Sequence, residues 1–173
     1  MEICLKPVAL EEKGTLENLL EKYLYEFSQW EKMDVDQNGL YGYKYLDFYW
    51  TEAKRHPFFI LADGKLAGFV LVNDEPEVEA DTDYTMAEFF VMFKYRKMGV
   101  GRTAAFQTFE RFPGKWQLKY NPQNKVSSMF WNRVVGEYTG TAYERYLGDR
   151  SGASVNGSLP VVLVFECGEG GHA

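Results

Sequence analysis

The chain has 173 residues, 46% of them hydrophobic, enough for a substantial core and one folded domain over 1–173. Its formal net charge of −6 argues against nucleic acid as a partner, because phosphate backbones are held by clustered Lys and Arg. No stretch is apolar and long enough to span a bilayer, and the start lacks a secretory pattern, so the expectation is a cytoplasmic protein with no membrane partner.

Residues 2–8 read as a short strand. Cys4 lies in it, and with Cys167 it makes neither a disulfide framework nor, with only His56 and His172, a structural zinc site. Both are expected as buried free thiols, and no metal is expected. A helix follows, because Leu16, Leu19, Leu20, Tyr23, Leu24 and Phe27 recur at helical spacing, either capped by Thr15 or starting earlier, near Leu10, with Gly14 tolerated. Residues 31–43 carry Asp34, Asp36, Asn38, Gly39 and Gly42 and read as a loop. Their spacing imitates the start of a calcium loop, but Tyr45 stands where the closing glutamate belongs. The aromatics between Trp30 and Trp50 suit either packing or the wall of a substrate pocket.

A second helix is expected over Lys44–Arg55, stopped by Pro57. Phe58–Ala62 and Lys65–Asn73 are strand-like runs joined by Asp63-Gly64, the pair preferred in a two-residue hairpin turn. Asp74–Tyr84 holds six acids and reads as a solvated loop. Met86–Lys94 is an apolar strand. A helix from Gly101 ends at Pro113-Gly114, a strand covers Trp116–Tyr120, and another helix runs to Val135. Thr141–Leu147 and Pro160–Phe165 close the pattern as strands, with a polar connection over 148–158 and a frayed tail over 168–173. The fold class is α/β (α+β), a mostly antiparallel mixed sheet of about six or seven strands with about four helices.

The turn after the apolar strand carries chemistry. Arg96, Gly99 and Gly101 stand at a strand-to-helix junction, where a helix start offers unpaired amides and partial positive charge. Glycines let phosphate oxygens approach that backbone, and Lys97 and Arg102 add charge. A diphosphate site follows. It is not a Walker loop, since no Gly-Lys-Ser/Thr is present, and position 104 is Ala, which disfavours a dinucleotide fingerprint.

The segment Glu88-Phe89-Phe90-Val91, followed by Tyr95-Arg96-Lys97-Met98-Gly99-Val100-Gly101, resembles the acyl-CoA motif of the GNAT N-acetyltransferases. Downstream, Asn124, Ser127, Phe130 and Trp131 are similar to that family's asparagine-bearing helix. The resemblance implies a GNAT-like fold using acetyl-CoA as co-substrate, with a small-molecule or peptide amine as acceptor and a homodimer as a possible assembly. It implies that the amides of Met98, Gly99, Val100, Gly101, Arg102 and Thr103 hold the pyrophosphate. Arg96 and Lys97 belong to the same motif. The edge near Val91, Met92 and Phe93 would pair with the pantetheine arm, and Asn124 and Ser127 would contact the cofactor. Glu88 occupies the place of a base for the attacking amine, though it equally suits a salt bridge or substrate binding. The family's usual acid, a tyrosine late in the helix, is Trp131 here, which is a donor but not a useful acid. Tyr138 or Tyr143 could substitute. The alternative is a CoA-binding sensor of the same fold that has lost turnover.

Overall fold

The computed structural model describes residues 1–148 and 157–168. Seven strands form one sheet: β1 (Ile3–Pro7), β2 (His56–Ala62), β3 (Lys65–Asn73), β4 (Tyr84–Val91), β5 (Gly114–Tyr120), β6 (Tyr143–Leu147) and β7 (Val161–Cys167). Their order is β1-β2-β3-β4-β5-β7-β6. Every pairing is antiparallel except that of β4 with β5. Three α-helices accompany them: α1 (Lys13–Glu31), α2 (Val100–Arg111) and α3 (Lys125–Thr139).

The central strands read as continuous apolar runs because both faces of the sheet are covered. Successive side chains of β2 and β3 alternate between two cores. Phe59, Phe69 and Leu71 meet Leu16, Leu19, Leu20 and Tyr23 of α1 on one face. Phe58, Ile60, Val70 and Val72 belong to the core on the other, with Ala104 and Phe109 of α2 and Val134 and Val135 of α3. The β2–β3 turn forms as the sequence predicts: Asp63 and Gly64 take φ values of 49° and 71°, the left-handed pair of a type I′ turn.

Four local expectations are corrected. Lys44–Arg55 does not form an α-helix; only Leu46–Trp50 is helical, as a 3-10 turn. Burying Leu46 and Tyr49 requires a single three-residue repeat, which that tighter helix supplies. The described α-helices therefore number three rather than four. Thr15 does not cap α1; of the two expected starts the earlier one forms, a 3-10 turn over Leu10–Glu12 leading into α1 at Lys13. Cys4 is exposed, on edge strand β1, whereas Cys167 is buried. The acidic segment after β3 is not merely solvated: the fully buried Gln117 accepts from the amides of Glu77 and Val78 at 2.8 and 3.0 Å and donates to Thr82 Oγ1. The calcium-like loop turns inward, since Asp36 accepts from the amides of Asn38 and Leu40. Most of the connection over 148–158 and of the tail lies outside the described residues.

Candidate active site

The site originates in one interrupted pairing. β4 and β5 run parallel for only three residue pairs, Tyr84–Trp116, Thr85–Gln117 and Met86–Leu118, and then separate. At the same point β4 carries a bulge, because Leu71 pairs with Glu88 while Val72 pairs with Met86. A bulge re-aims the side chains that follow it. Past it, one edge of β4 remains bound to β3 and the other faces a cleft of about 1200 Å³. The Met92 amide donates to Ala67 of β3, so strand alternation turns the backbone groups of Phe89 and Val91 to the open edge.

At one end of the cleft lies the glycine turn. Lys97 and Gly99 adopt left-handed conformations, φ 60° and 82°, before α2 starts at Val100. Gly99 has open space around it, so its conformation, not crowding, selects glycine. Gly101 is selected by space: a Cβ there would lie 3.1 Å from the Phe130 ring. No side chain caps α2, which leaves the amides of its first turn for an anion. Lys97, Arg102 and Arg133 reach this part of the cleft, and both arginines pair with Glu137. These features fit the diphosphate of CoA.

At the other end Glu88 lines the cleft. Its carboxylate accepts from the Tyr23 hydroxyl at 2.5 Å and from the Tyr43 hydroxyl at 3.0 Å. Burial raises the Glu88 pKa above the usual carboxylate range, while the two phenols oppose the rise by stabilising the anion. Burial and the Glu88 charge together push Tyr23 and Tyr43 well above the ordinary phenol range, so both remain donors. The result is a carboxylate closer to neutral pH than an exposed one, held by neutral groups.

Of the sequence-predicted residues, Glu88, Val91, Arg96, Lys97, Gly99, Gly101, Arg102, Asn124 and Ser127 line this cleft. Several do so in altered roles. Arg96 is not free for phosphate: it grips both carboxylate oxygens of Glu26 on α1 at 2.8 and 2.6 Å and donates to the Val91 carbonyl at 2.6 Å. Asn124 caps α3, its Oδ1 accepting from the Ser127 amide at 3.0 Å. Met92, Phe93, Met98, Val100, Thr103 and Tyr138 are not among the cleft-lining residues. The Met92 amide is committed to β3, the carbonyls of Met92 and Phe93 accept from Tyr95 and Arg96, and the Thr103 amide donates to the Gly99 carbonyl. Val100 buries its side chain and Met98 exposes its own, which leaves them only backbone groups to offer. Tyr138 is packed against Phe106 and Phe109, and burial raises its pKa to about 12, so the cleft lacks the acid expected there. Trp131 does reach the cleft, edge-on to Phe89.

Sequence reasoning missed Tyr23, Arg133 and Tyr120, whereas Tyr43 belongs to the aromatic group between Trp30 and Trp50 that suited a pocket wall. Tyr120 ends β5 in the cleft and accepts from Asn132 Nδ2 at 2.8 Å, which leaves its own proton to donate. Only the helical register of Tyr23 was visible in the sequence, and it marked that residue as core.

A seven-stranded, mostly antiparallel sheet thus parts beside β4, above a glycine turn whose helix start carries no side-chain cap. The chain belongs to the GNAT acetyltransferase family, whose description, Acetyltransferase (GNAT) family, matches residues 16–136. No curated protein matches it in sequence. In fold it is similar to the spermidine N-acetyltransferase of Vibrio cholerae, solved with CoA and spermine, at a TM-score of 0.64 and 10% identity over 95% of each chain. It is also similar to the ribosomal-protein-S18-alanine N-acetyltransferase of Escherichia coli, at 0.59 and 9% identity over 99% of this chain and 97% of that one. An acetyltransferase from Thermus thermophilus aligns at 0.62 and 14% identity over 96% of this chain and 97% of that one.

Proposed function

We propose that this protein is an N-acetyltransferase that moves an acetyl group from acetyl-CoA to a primary amine by direct attack within a ternary complex. The observation that carries the reading is the placement of Glu88. A carboxylate with a raised pKa faces the cleft where β4 leaves β5, on the same strand whose far end feeds the phosphate turn. Acetyl-CoA supplies the activated acyl group when bound. The chain's residues do the rest. Amides at the start of α2 hold the diphosphate, and the open backbone edge at Phe89 and Val91 orients the arm and offers a donor for developing oxyanion charge. Glu88 takes the proton from the acceptor's ammonium, and Tyr23 and Tyr43 fix its carboxylate plane. Tyr120 is positioned to give a proton to the leaving thiolate. The test is thiol release from acetyl-CoA across a panel of primary amines, with wild type and Glu88→Gln. Release that depends on amine and on Glu88 supports the reading; none with any amine overturns it.

One observation favours a second reading, a CoA sensor without turnover: the α3 tyrosine is sequestered in the core and Trp131 stands in the cleft instead. Calorimetric titration of acetyl-CoA separates the two. Binding without any amine-dependent release would support the sensor.

A further inference from the structure

Behind the Glu88 carboxylate lies an enclosed polar group without a partner. Tyr49 belongs to the 3-10 turn Leu46–Trp50 and is 3% exposed, and its hydroxyl makes no hydrogen bond among the described residues. Buried hydroxyls are nearly always paired, so an orphan one needs a reason. Its position supplies one. The hydroxyl stands beside both the Tyr43 hydroxyl and the Arg55 guanidinium. Burial and the Glu88 charge raise the Tyr49 pKa, and Arg55 opposes the rise, so the phenol stays protonated between opposite charges. Tyr43 in turn donates to Glu88 at 3.0 Å. Arg55 is held in place against the rings of Phe48 and Tyr49, its guanidinium carbon 5.5 and 5.7 Å from their centroids.

The two ends of this row fix its direction. A guanidinium only donates, even when carboxylates such as Glu52 and Glu75 also contact it, and an ionised carboxylate only accepts. Each phenol between them has one proton and spare lone pairs, so a continuous chain runs one way: Arg55 to Tyr49, Tyr49 to Tyr43, Tyr43 to Glu88. Small rotations close the slack contacts, and unliganded sites commonly hold such contacts long. A chain polarised in this sense stabilises the anion at its end. We infer that Tyr49 is a positioning residue for the base: through Tyr43 it couples the Arg55 cation to Glu88 and keeps that enclosed carboxylate ionised. The other groups that act on Glu88 are Tyr23 of α1, Lys119 of β5 and Glu77, and the last two pair with each other. The inference rests on the acetyltransferase reading for its effect on rate, but not for the ionisation of Glu88.

The test reads Glu88 directly. The full chain is labelled with carboxyl-13C glutamate, and the Glu88 resonance is the one lost in Glu88→Gln. Its titration is followed by NMR, with and without CoA, in wild type, Tyr49→Phe, Tyr43→Phe and the double variant. Tyr49→Phe deletes one oxygen and keeps the ring. It should raise the Glu88 pKa by about half to one pH unit, the worth of one hydrogen bond. The acid limb of kcat/KM for thiol release should move up by the same amount, with little change in the plateau at high pH. In the Tyr43→Phe background the same substitution should do nothing, because the link is already cut. Arg55→Met should likewise raise the Glu88 pKa more in wild type than in Tyr49→Phe. A titration that Tyr49→Phe leaves in place or lowers, or an effect that persists without the Tyr43 hydroxyl, overturns the inference in proteins folded by circular dichroism. If no amine releases thiol, the acetyltransferase reading fails, and the NMR titration still decides this one.

Discussion

The two halves of the cleft are built by different means. The half proposed for the cofactor is made from backbone: a left-handed glycine, the first amides of α2 and a strand edge that β5 leaves open, all within residues 88–103. The acceptor half is made from side chains that converge from distant parts of the chain, with Tyr23 and Tyr43 lying 65 and 45 residues from the Glu88 they hold. Backbone chemistry needs only the correct local conformation, so a short motif can encode it. Side-chain chemistry of this kind requires the whole sheet and α1 to be in place first. The Arg96–Glu26 pair joins the halves, because α1 carries both Tyr23 and Glu26.

The comparison is broken most severely at Glu88. Glu88→Gln should lower kcat by about two to four orders of magnitude while leaving acetyl-CoA affinity within a few fold. The wild-type rate should rise with pH through the Glu88 pKa, which burial places above the ordinary carboxylate range, because the deprotonated form is the base. That limb should vanish in the variant, and a pH profile of kcat/KM checks both outcomes. Gly99→Asp should do the reverse, weakening acetyl-CoA by about a hundredfold through charge repulsion. Gly99→Asn, which tolerates the same left-handed conformation, should lose only a few fold; calorimetry on the pair isolates charge from strain.

Gln117→Leu tests how the acceptor half is supported. It leaves the part-buried amides of Glu77 and Val78 without their acceptor and should cost about 1–3 kcal/mol in denaturant unfolding. Because the same loop carries Glu77, it should also raise the acceptor KM more than the acetyl-CoA KM. Glu26→Gln is subtler: losing the charge on the link between the halves should cost about 1 kcal/mol of stability. It should also raise both KM values modestly. The smallest effect belongs to the exposed Lys13–Asp47 pair, neither member of which lines the cleft. Asp47→Asn should change stability by less than about 0.5 kcal/mol and leave turnover unchanged.

Much of this architecture was legible in the residues. The Asp63-Gly64 hairpin, the leucine periodicity of α1 and the glycine turn each rest on local rules, and each formed where expected. The 44–55 segment did not, because its helical pattern was weak and its burial requirement, Leu46 and Tyr49, was met by one tight turn.

Tyr138 shows most clearly where local reasoning stops. It lies seven residues after Trp131, on nearly the same helical face. Yet Trp131 reaches the cleft while Tyr138 is enclosed by Phe106 and Phe109. The cleft exists only alongside the first part of α3, where β5 has left β4; farther along, α3 is packed against α2. The sequence by itself determined the sheet's hairpin, the helical periods and the glycine turn, since these depend on dihedral preference and spacing within a few residues. Tertiary structure alone decided which carboxylate is held by phenols, which tyrosines hold it and which tyrosine is shut away, because those outcomes depend on where two strands part.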